Sequence, residues 1–114
     1  MGSRAVAHAV FGVLFDVGAD AAFIVDPARR RLLAANARLE DLLAAAPGSL
    51  LGLDADQVIV APSVDEPRPV LEVEGTYEDV ALRRLDGVPV AVTLTVSHVH
   101  LPGHGRLVAC LARD

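Results

Sequence analysis

The sequence predicts an α+β fold: a five-stranded antiparallel sheet with helices on one face, preceded by an amphipathic N-terminal helix. Apolar residues recur at helical spacing near the N-terminus. From residue 21, two short apolar segments typical of strands follow, with a turn between them. From residue 76 the chain becomes β, with strict alternation of apolar and polar residues over 88–97. A hairpin, a helical insertion and a three-strand meander then make one sheet.

The bulk composition indicates one soluble domain. The chain has 114 residues, 53% of them hydrophobic, which is enough for a core without a disulfide or metal. The single cysteine fits a reducing compartment, and neither a secretory signal nor an apolar run of ~20 residues occurs, so we expect a cytoplasmic protein without membrane insertion. A net charge of −5, one short arginine cluster and four aromatic residues argue against direct nucleic-acid binding.

Residues 4–18 are predicted to form a unit of their own, a helix over 4–17 closed by Gly18. Its apolar positions extend over more than one helix face. We therefore expect one face to cover its own domain and another to contact the same helix of a second copy; the alternative is a helix buried wholly in one core. The candidate dimer-interface residues are Val6, Val10, Phe11, Val13, Leu14 and Phe15.

Residues 19–114 are predicted to form the main domain. Residues 21–26 and 31–35 form a hairpin around an Asp-Pro turn. Asn36 is a favourable N-cap for the following helix, which Pro47 and Gly48 end. A helical turn capped by Asp54, an extended piece over 58–60 and a proline-rich loop over 61–69 come next.

The second half is predicted to be a meander of three strands. Residues 70–73 are predicted as a strand or short helix, and residues 76–85 form the first strand of the meander. The turn residues Asp86 and Gly87 join it to the long strand 88–101, and a Pro-Gly turn leads to the last strand, 106–113.

This order of elements resembles a PAS domain over residues 19–114. Four pieces of the first half match the family's opening motif: Asp20, Phe23-Ile24-Val25-Asp26, Arg31-Leu32-Leu33 and Ala35-Asn36. Leu51-Gly52 is similar to the "L-x-G" that follows the first core helix, residues 80–96 resemble the strand core, and residues 111–114 resemble the start of the closing "R-D-I-T". The family's long helix before the strand core falls near residues 60–73, where this chain is short and proline-rich.

The resemblance implies a sensory or regulatory module of a larger bacterial signalling protein, such as a two-component histidine kinase, a cyclase or a transcription regulator. Such a module is not itself an enzyme. It is expected to form a homodimer through the N-terminal helix and to act on an effector domain downstream.

The resemblance places a ligand, if one binds, in an apolar cavity between helix and sheet. The alternative is that the same side chains fill one another's space. No cofactor is predicted: flavin-binding members need a cysteine in the helical region, whereas Cys110 lies on the last strand, and haem-binding members need an axial histidine, which residues 37–75 lack. The candidate pocket residues are Phe23, Leu39, Leu43, Val58, Val92 and Leu94.

Three histidines in the pattern H-x-H-x-x-x-H, His98, His100 and His104, suggest an alternative function as a metal-dependent enzyme. Nearby carboxylates that would orient such ligands are lacking, and the Pro-Gly turn is a flexible platform, so a hairpin emerging into solvent is the favoured interpretation and no metal is predicted. A pH-sensing role lies between these two. A roadblock-like structural interaction domain is a further alternative.

Overall fold

The computed structural model describes residues 3–12, 15, 18–60 and 71–113. Within these residues, three helices and five strands of known bounds follow one another in the predicted order, and the predicted fold class is confirmed. Their bounds are α1 Ser3–Phe11, β1 Ala21–Asp26, β2 Arg31–Ala35, α2 Ala37–Leu42, α3 Ala55–Val58, β3 Gly75–Arg83, β4 Pro89–Leu101 and β5 Gly105–Arg113.

The strands form one antiparallel sheet in the order β2-β1-β5-β4-β3. The first and last strands of the main domain are neighbours at its centre, where Ala21 lies opposite Ala112 and Ala22 opposite Leu111. The start of the domain and the end of its last strand therefore lie side by side.

The two faces of the sheet carry separate apolar clusters. Because side chains alternate along a strand, Phe23 and Val25 of β1 join the cluster under α2 and α3, whereas Ala22 and Ile24 face the opposite side. We call the first side the inner face and the second the outer face. Helix α1 packs on the outer face, where its Val6 joins Ile24 in a buried cluster. Helices α2 and α3 thus cover one face, as predicted, and α1 covers part of the other.

Helix α1 is shorter than the sequence analysis predicts. It ends at Phe11, and Gly12 follows with a φ of +64°, a backbone conformation that favours glycine. The N–H of Gly12 donates to the carbonyl of His8 at 2.8 Å and closes the last turn. The C-cap role assigned to Gly18 thus belongs to Gly12 for this helix.

Both predicted N-caps are confirmed. The Asn36 side chain accepts from the N–H of Leu39, and Asp54 forms a capping box with Gln57. Helix α2 ends in a Schellman motif, in which Ala44 stands in the left-handed region at a φ of +55°. The N–H of Ala45 donates to the backbone carbonyl of Glu40 at 2.8 Å, and the N–H of Ala44 donates to that of Asp41 at 3.3 Å. These caps fix α2 over the inner face.

Two expectations are not tested by these elements. The proline-rich loop over 61–69 lies outside the described residues, as does most of the stretch where PAS domains have a long helix. Residues 71–74, predicted as part of a strand or short helix, form a turn that leads into β3.

Candidate functional site

The six predicted pocket residues lie together in the inner-face cluster. Strands β1 and β4, the end of α2 and helix α3 bring them to the same region, and each is at most 3% exposed. None of the six lines the two clefts described below, which are formed by described residues. In the described part of the chain these side chains therefore serve as core, and the apolar ligand pocket stays a prediction.

Asn36 is the one buried polar side chain among the described residues, at 3% exposure. Both polar atoms of its side-chain amide form hydrogen bonds to the backbone. Its Oδ1 accepts from the N–H groups of Ala22 and Leu39, each at 3.0 Å. Its Nδ2 donates to the carbonyls of Phe15 and Asp20, also at 3.0 Å. One amide group thus joins the segment after α1, the start of β1 and the first turn of α2.

A charged pair continues this connection to the end of β5. The guanidinium of Arg113 donates to both carboxylate oxygens of Asp20, from Nε at 3.1 Å and from an Nη at 3.2 Å. The hydrogen bond to Asp20 and its charge raise the pKa of Arg113 above its usual value. Because Arg113 is 74% exposed, this pair contributes orientation more than stability. Asp20 therefore contacts Arg113 through its side chain and Asn36 through its carbonyl.

A cleft of about 610 Å³, here called the end cleft, opens beside this pair. It lies between α2, which supplies Arg38 and Asp41, and the adjacent ends of β1 and β5. Asp20 and Arg113 line it as well, so part of its charge is already paired.

A second cleft, the turn cleft, has a volume of about 340 Å³ and lies at the opposite end of β1. Three buried side chains on the inner face line it, Val25, Leu71 and Val108. The β1–β2 turn contributes Pro27 and Arg30, and Glu72 and Arg106 complete the lining.

Arg30 is the turn-cleft charge that forms an ion pair with another described residue. Its guanidinium donates to Asp56 at 2.6 Å, and this bond raises the pKa of Arg30 above its usual value. Within the described part of the chain, Arg106 and Glu72 make no side-chain hydrogen bond or ion pair. Glu72 acts on Arg30 only through its charge, so two unlike charges that lack a hydrogen bond or ion pair to any described residue border the same small cleft.

The three histidines do not assemble into a site. The His98 ring hydrogen-bonds to the carbonyl of Leu71 at 3.0 Å, and its backbone N–H donates to Glu74 at 2.6 Å. His100 is exposed opposite Arg106, and His104 lies in the following turn. Among residues 3–12, 15, 18–60 and 71–113, no three His, Cys, Asp or Glu side chains are grouped as metal ligands would be. His100 therefore faces solvent, whereas His98 connects β4 to residues 71–74 through its two hydrogen bonds.

Cys110 is buried in the middle of β5, as expected for a small apolar side chain. Burial raises the pKa of its thiol to about 12. The thiolate is the nucleophilic form, so this cysteine is unreactive in the folded protein.

The candidate dimer residues divide into two groups. Val6 and Phe15 are 3% and 6% exposed because they pack on the outer face of their own sheet, and their part in a dimer interface stays a prediction. Val10 and Phe11 are half-buried beside them, with the rings of Phe11 and Phe15 stacked 5.7 Å apart. Val13 and Leu14 lie outside the described residues.

The solved structures that are similar to this chain share one fold. No family model and no curated protein matches this sequence. The chain is similar to the crystal structure of the PAS domain of an HTR-like protein from Haloarcula marismortui, with a TM-score of 0.72 and 16% identity over 97% of this chain and 93% of that one. It is also similar to the PAS domain of nitrogen regulation protein NR(II) from Vibrio parahaemolyticus, with a TM-score of 0.69 and 19% identity over 90% and 94% of the two chains.

A LOV protein of Rhodobacter sphaeroides gives a TM-score of 0.68 at 17% identity, over 89% of this chain and 62% of that one. These matches show that the chain has the PAS fold. Among the described residues, no helix is both long and apolar enough to cross a bilayer.

The sequence predicts the cap role of Asn36 but not its contacts with the residues before β1. Two of its four partners are backbone carbonyls, and carbonyls leave no mark in a residue pattern. The Asp20–Arg113 pair was missed because it joins residues 93 apart in sequence. Both residues lie within the segments that resemble PAS motifs, which was the available signal.

Proposed function

We propose that this chain is a sensory or regulatory module of a larger bacterial signalling protein and has no catalytic activity of its own. The observation that carries the proposal is the similarity, over nearly its whole length, to PAS domains such as one from a two-component sensor histidine kinase, which covers 96% of this chain. A cytoplasmic location and an effector domain beyond Arg113 belong to the same proposal. No haem or flavin is required by it.

The mechanism follows from the contacts around Asn36. A change in packing on the inner face displaces β1 and α2, and Asn36 is bonded to both of them and to the carbonyl of Phe15. Asp20 passes the same displacement to Arg113 at the end of β5. Segments at both ends of the domain thereby respond to one change, as signalling between two sites requires.

A homodimer through α1 is the second part of the proposal. With Val6 turned towards its own sheet, the exposed side of α1 carries the small residues Ala5 and Ala9, and the half-buried Val10 and Phe11 lie beside them. Small side chains let two helices approach closely, and the partly exposed apolar atoms gain by burial. The dimer thus uses the exposed side of the helix, whereas Val6 and Phe15 hold the helix to its own sheet.

Light scattering of the purified chain with the variant Ala9→Arg tests the dimer. We expect the wild-type protein to have twice the chain mass of 11.9 kDa, as a dimer does, and Ala9→Arg to have the mass of a single chain. Ala46→Arg, at an exposed alanine after α2, is the matched control and should remain dimeric. A wild-type protein that is monomeric at every concentration would contradict this part of the proposal.

Amide hydrogen exchange on the same variants separates a signalling module from a rigid interaction domain. If α1 and β5 respond together, Ala9→Arg accelerates exchange at Leu111 and Ala112 as well as within α1, and Ala46→Arg does not. Acceleration confined to α1 would instead favour a structural interaction domain. Metal analysis of protein purified without a tag tests the enzyme alternative, in which His98, His100 and His104 would hold a stoichiometric metal.

A further inference from the structure

The turn cleft has the volume of a small-molecule site, and part of its lining is apolar and buried. Val25 and Val108 are each 1% exposed and Leu71 is 7% exposed, so the apolar part of the lining belongs to the rigid inner-face core. A volume of about 340 Å³ lies at the small end of the range for ligand pockets, roughly 300–1,000 Å³. The cleft therefore suits a molecule with a short apolar group rather than a large cofactor.

The lining of the turn cleft carries charges of both signs. Arg106 and Glu72 are exposed and make no ion pair in the described part of the chain, and Arg30 keeps donors free besides the one that Asp56 engages. A guanidinium holds a carboxylate through parallel N–H donors, and a carboxylate accepts from an ammonium group. A simple anion in this cleft would meet the carboxylate of Glu72, and a simple cation would meet the two guanidinium groups.

We infer that the turn cleft binds a small zwitterion of the class of free α-amino acids. The carboxylate of the ligand lies on Arg106 with Arg30 beside it, its ammonium group lies at Glu72, and a short aliphatic side chain contacts Val25 and Val108. The inference rests on the proposed sensory function and names its ligand. Binding would tie the β1–β2 turn and residues 71–72 to β5 on the inner face.

Three probes of the same aliphatic skeleton test the charge requirement: L-leucine, 3-methylbutylamine, which lacks the carboxylate, and 4-methylpentanoate, which lacks the ammonium group. We expect L-leucine to shift the backbone amide resonances of Val25, Arg106 and Val108 in a titration. Each singly charged analogue should bind at least about tenfold more weakly, the equivalent of ~1.4 kcal/mol. Equal binding of all three, or no shift with L-leucine up to ~10 mM, overturns the inference.

The variants Arg106→Gln and Glu72→Gln locate the site. Each should weaken L-leucine binding at least about tenfold, whereas Arg83→Gln, an exposed arginine on β3, should leave it unchanged. Because Arg106 and Glu72 make no side-chain hydrogen bond or ion pair to the described residues, thermal unfolding should show that both variants fold normally. Unchanged binding in both overturns the assignment. If L-leucine does not bind but the wild-type chain is dimeric and its α1 and β5 respond together in hydrogen exchange, this inference fails and the proposed function stands. The two failures are therefore distinguishable.

Discussion

Replacement of Asn36 by aspartate separates two roles of this residue. Asparagine and aspartate are nearly equal as N-caps, so a residue that only caps α2 tolerates Asn36→Asp almost without cost. The structure predicts otherwise. The new carboxylate still accepts from Ala22 and Leu39, but it cannot donate to the carbonyls of Phe15 and Asp20, and it sets a negative oxygen 3.0 Å from each of them.

The magnitude follows from the bonds lost. Two neutral hydrogen bonds contribute about 0.5–1.5 kcal/mol each, or ~2 kcal/mol together. Because the site is 3% exposed, leaving the two carbonyls unpaired beside a buried charge adds at least ~1–2 kcal/mol. We expect Asn36→Asp to lower the free energy of unfolding by about 3–4 kcal/mol, a large part of the ~5–15 kcal/mol of a typical domain.

Urea unfolding followed by circular dichroism measures the effect. With a slope of roughly 1–3 kcal/mol per molar urea, the midpoint should fall by about 1–4 M. Asp54→Asn is the matched control, because in the described part of the chain the Asp54 carboxylate bonds only to backbone N–H groups of α3, and the midpoint of this variant should hardly change. A loss below about 0.5 kcal/mol in Asn36→Asp would refute the assigned contacts and leave Asn36 as a helix cap.

Three other predictions concern single side chains. Ala44→Gly should raise the free energy of unfolding by about 0.5–1 kcal/mol in the same urea assay, because glycine relieves the left-handed strain at φ +55°, whereas Gly12→Ala should lower it. Arg113→Gln should destabilise only slightly, and the difference should vanish in about 1 M salt, where screening is strong; a salt-independent loss would contradict an exposed ion pair. Cys110 should resist thiol reagents until the protein unfolds, and since burial raises its pKa from 9.0 to about 12, folding stability should fall as pH rises from 9.0 towards 12.

The strands were predictable because their signals are local. The alternation over residues 88–97 and the Asp86-Gly87 turn set the period and the hairpin, and β3 and β4 pair as these signals predict. The same is true of the caps at Asn36 and Asp54, which depend on residues within one helical turn.

The arrangement of distant parts was not predictable in the same way. The apolar pattern of α1 shows that the helix is buried, but not which sheet face covers it or that Gly12 ends it early. The sequence alone therefore does not show that Val6 and Phe15 pack on the outer face of their own sheet. The turn cleft depends on β1, β5 and residues 71–72 meeting in space, which no local pattern records.

The packing of α1 on its own sheet underlies both the dimer and the connection through Asn36. A nuclear Overhauser experiment on a mixture of labelled and unlabelled protein, filtered to separate contacts within and between molecules, tests it directly. We predict contacts within one molecule from Val6 and Phe15 to Ile24 and Leu107, the members of the outer-face cluster. Contacts of these residues only between molecules, or none at all, would show that α1 does not lie on its own sheet and would contradict the proposed route from α1 to β5.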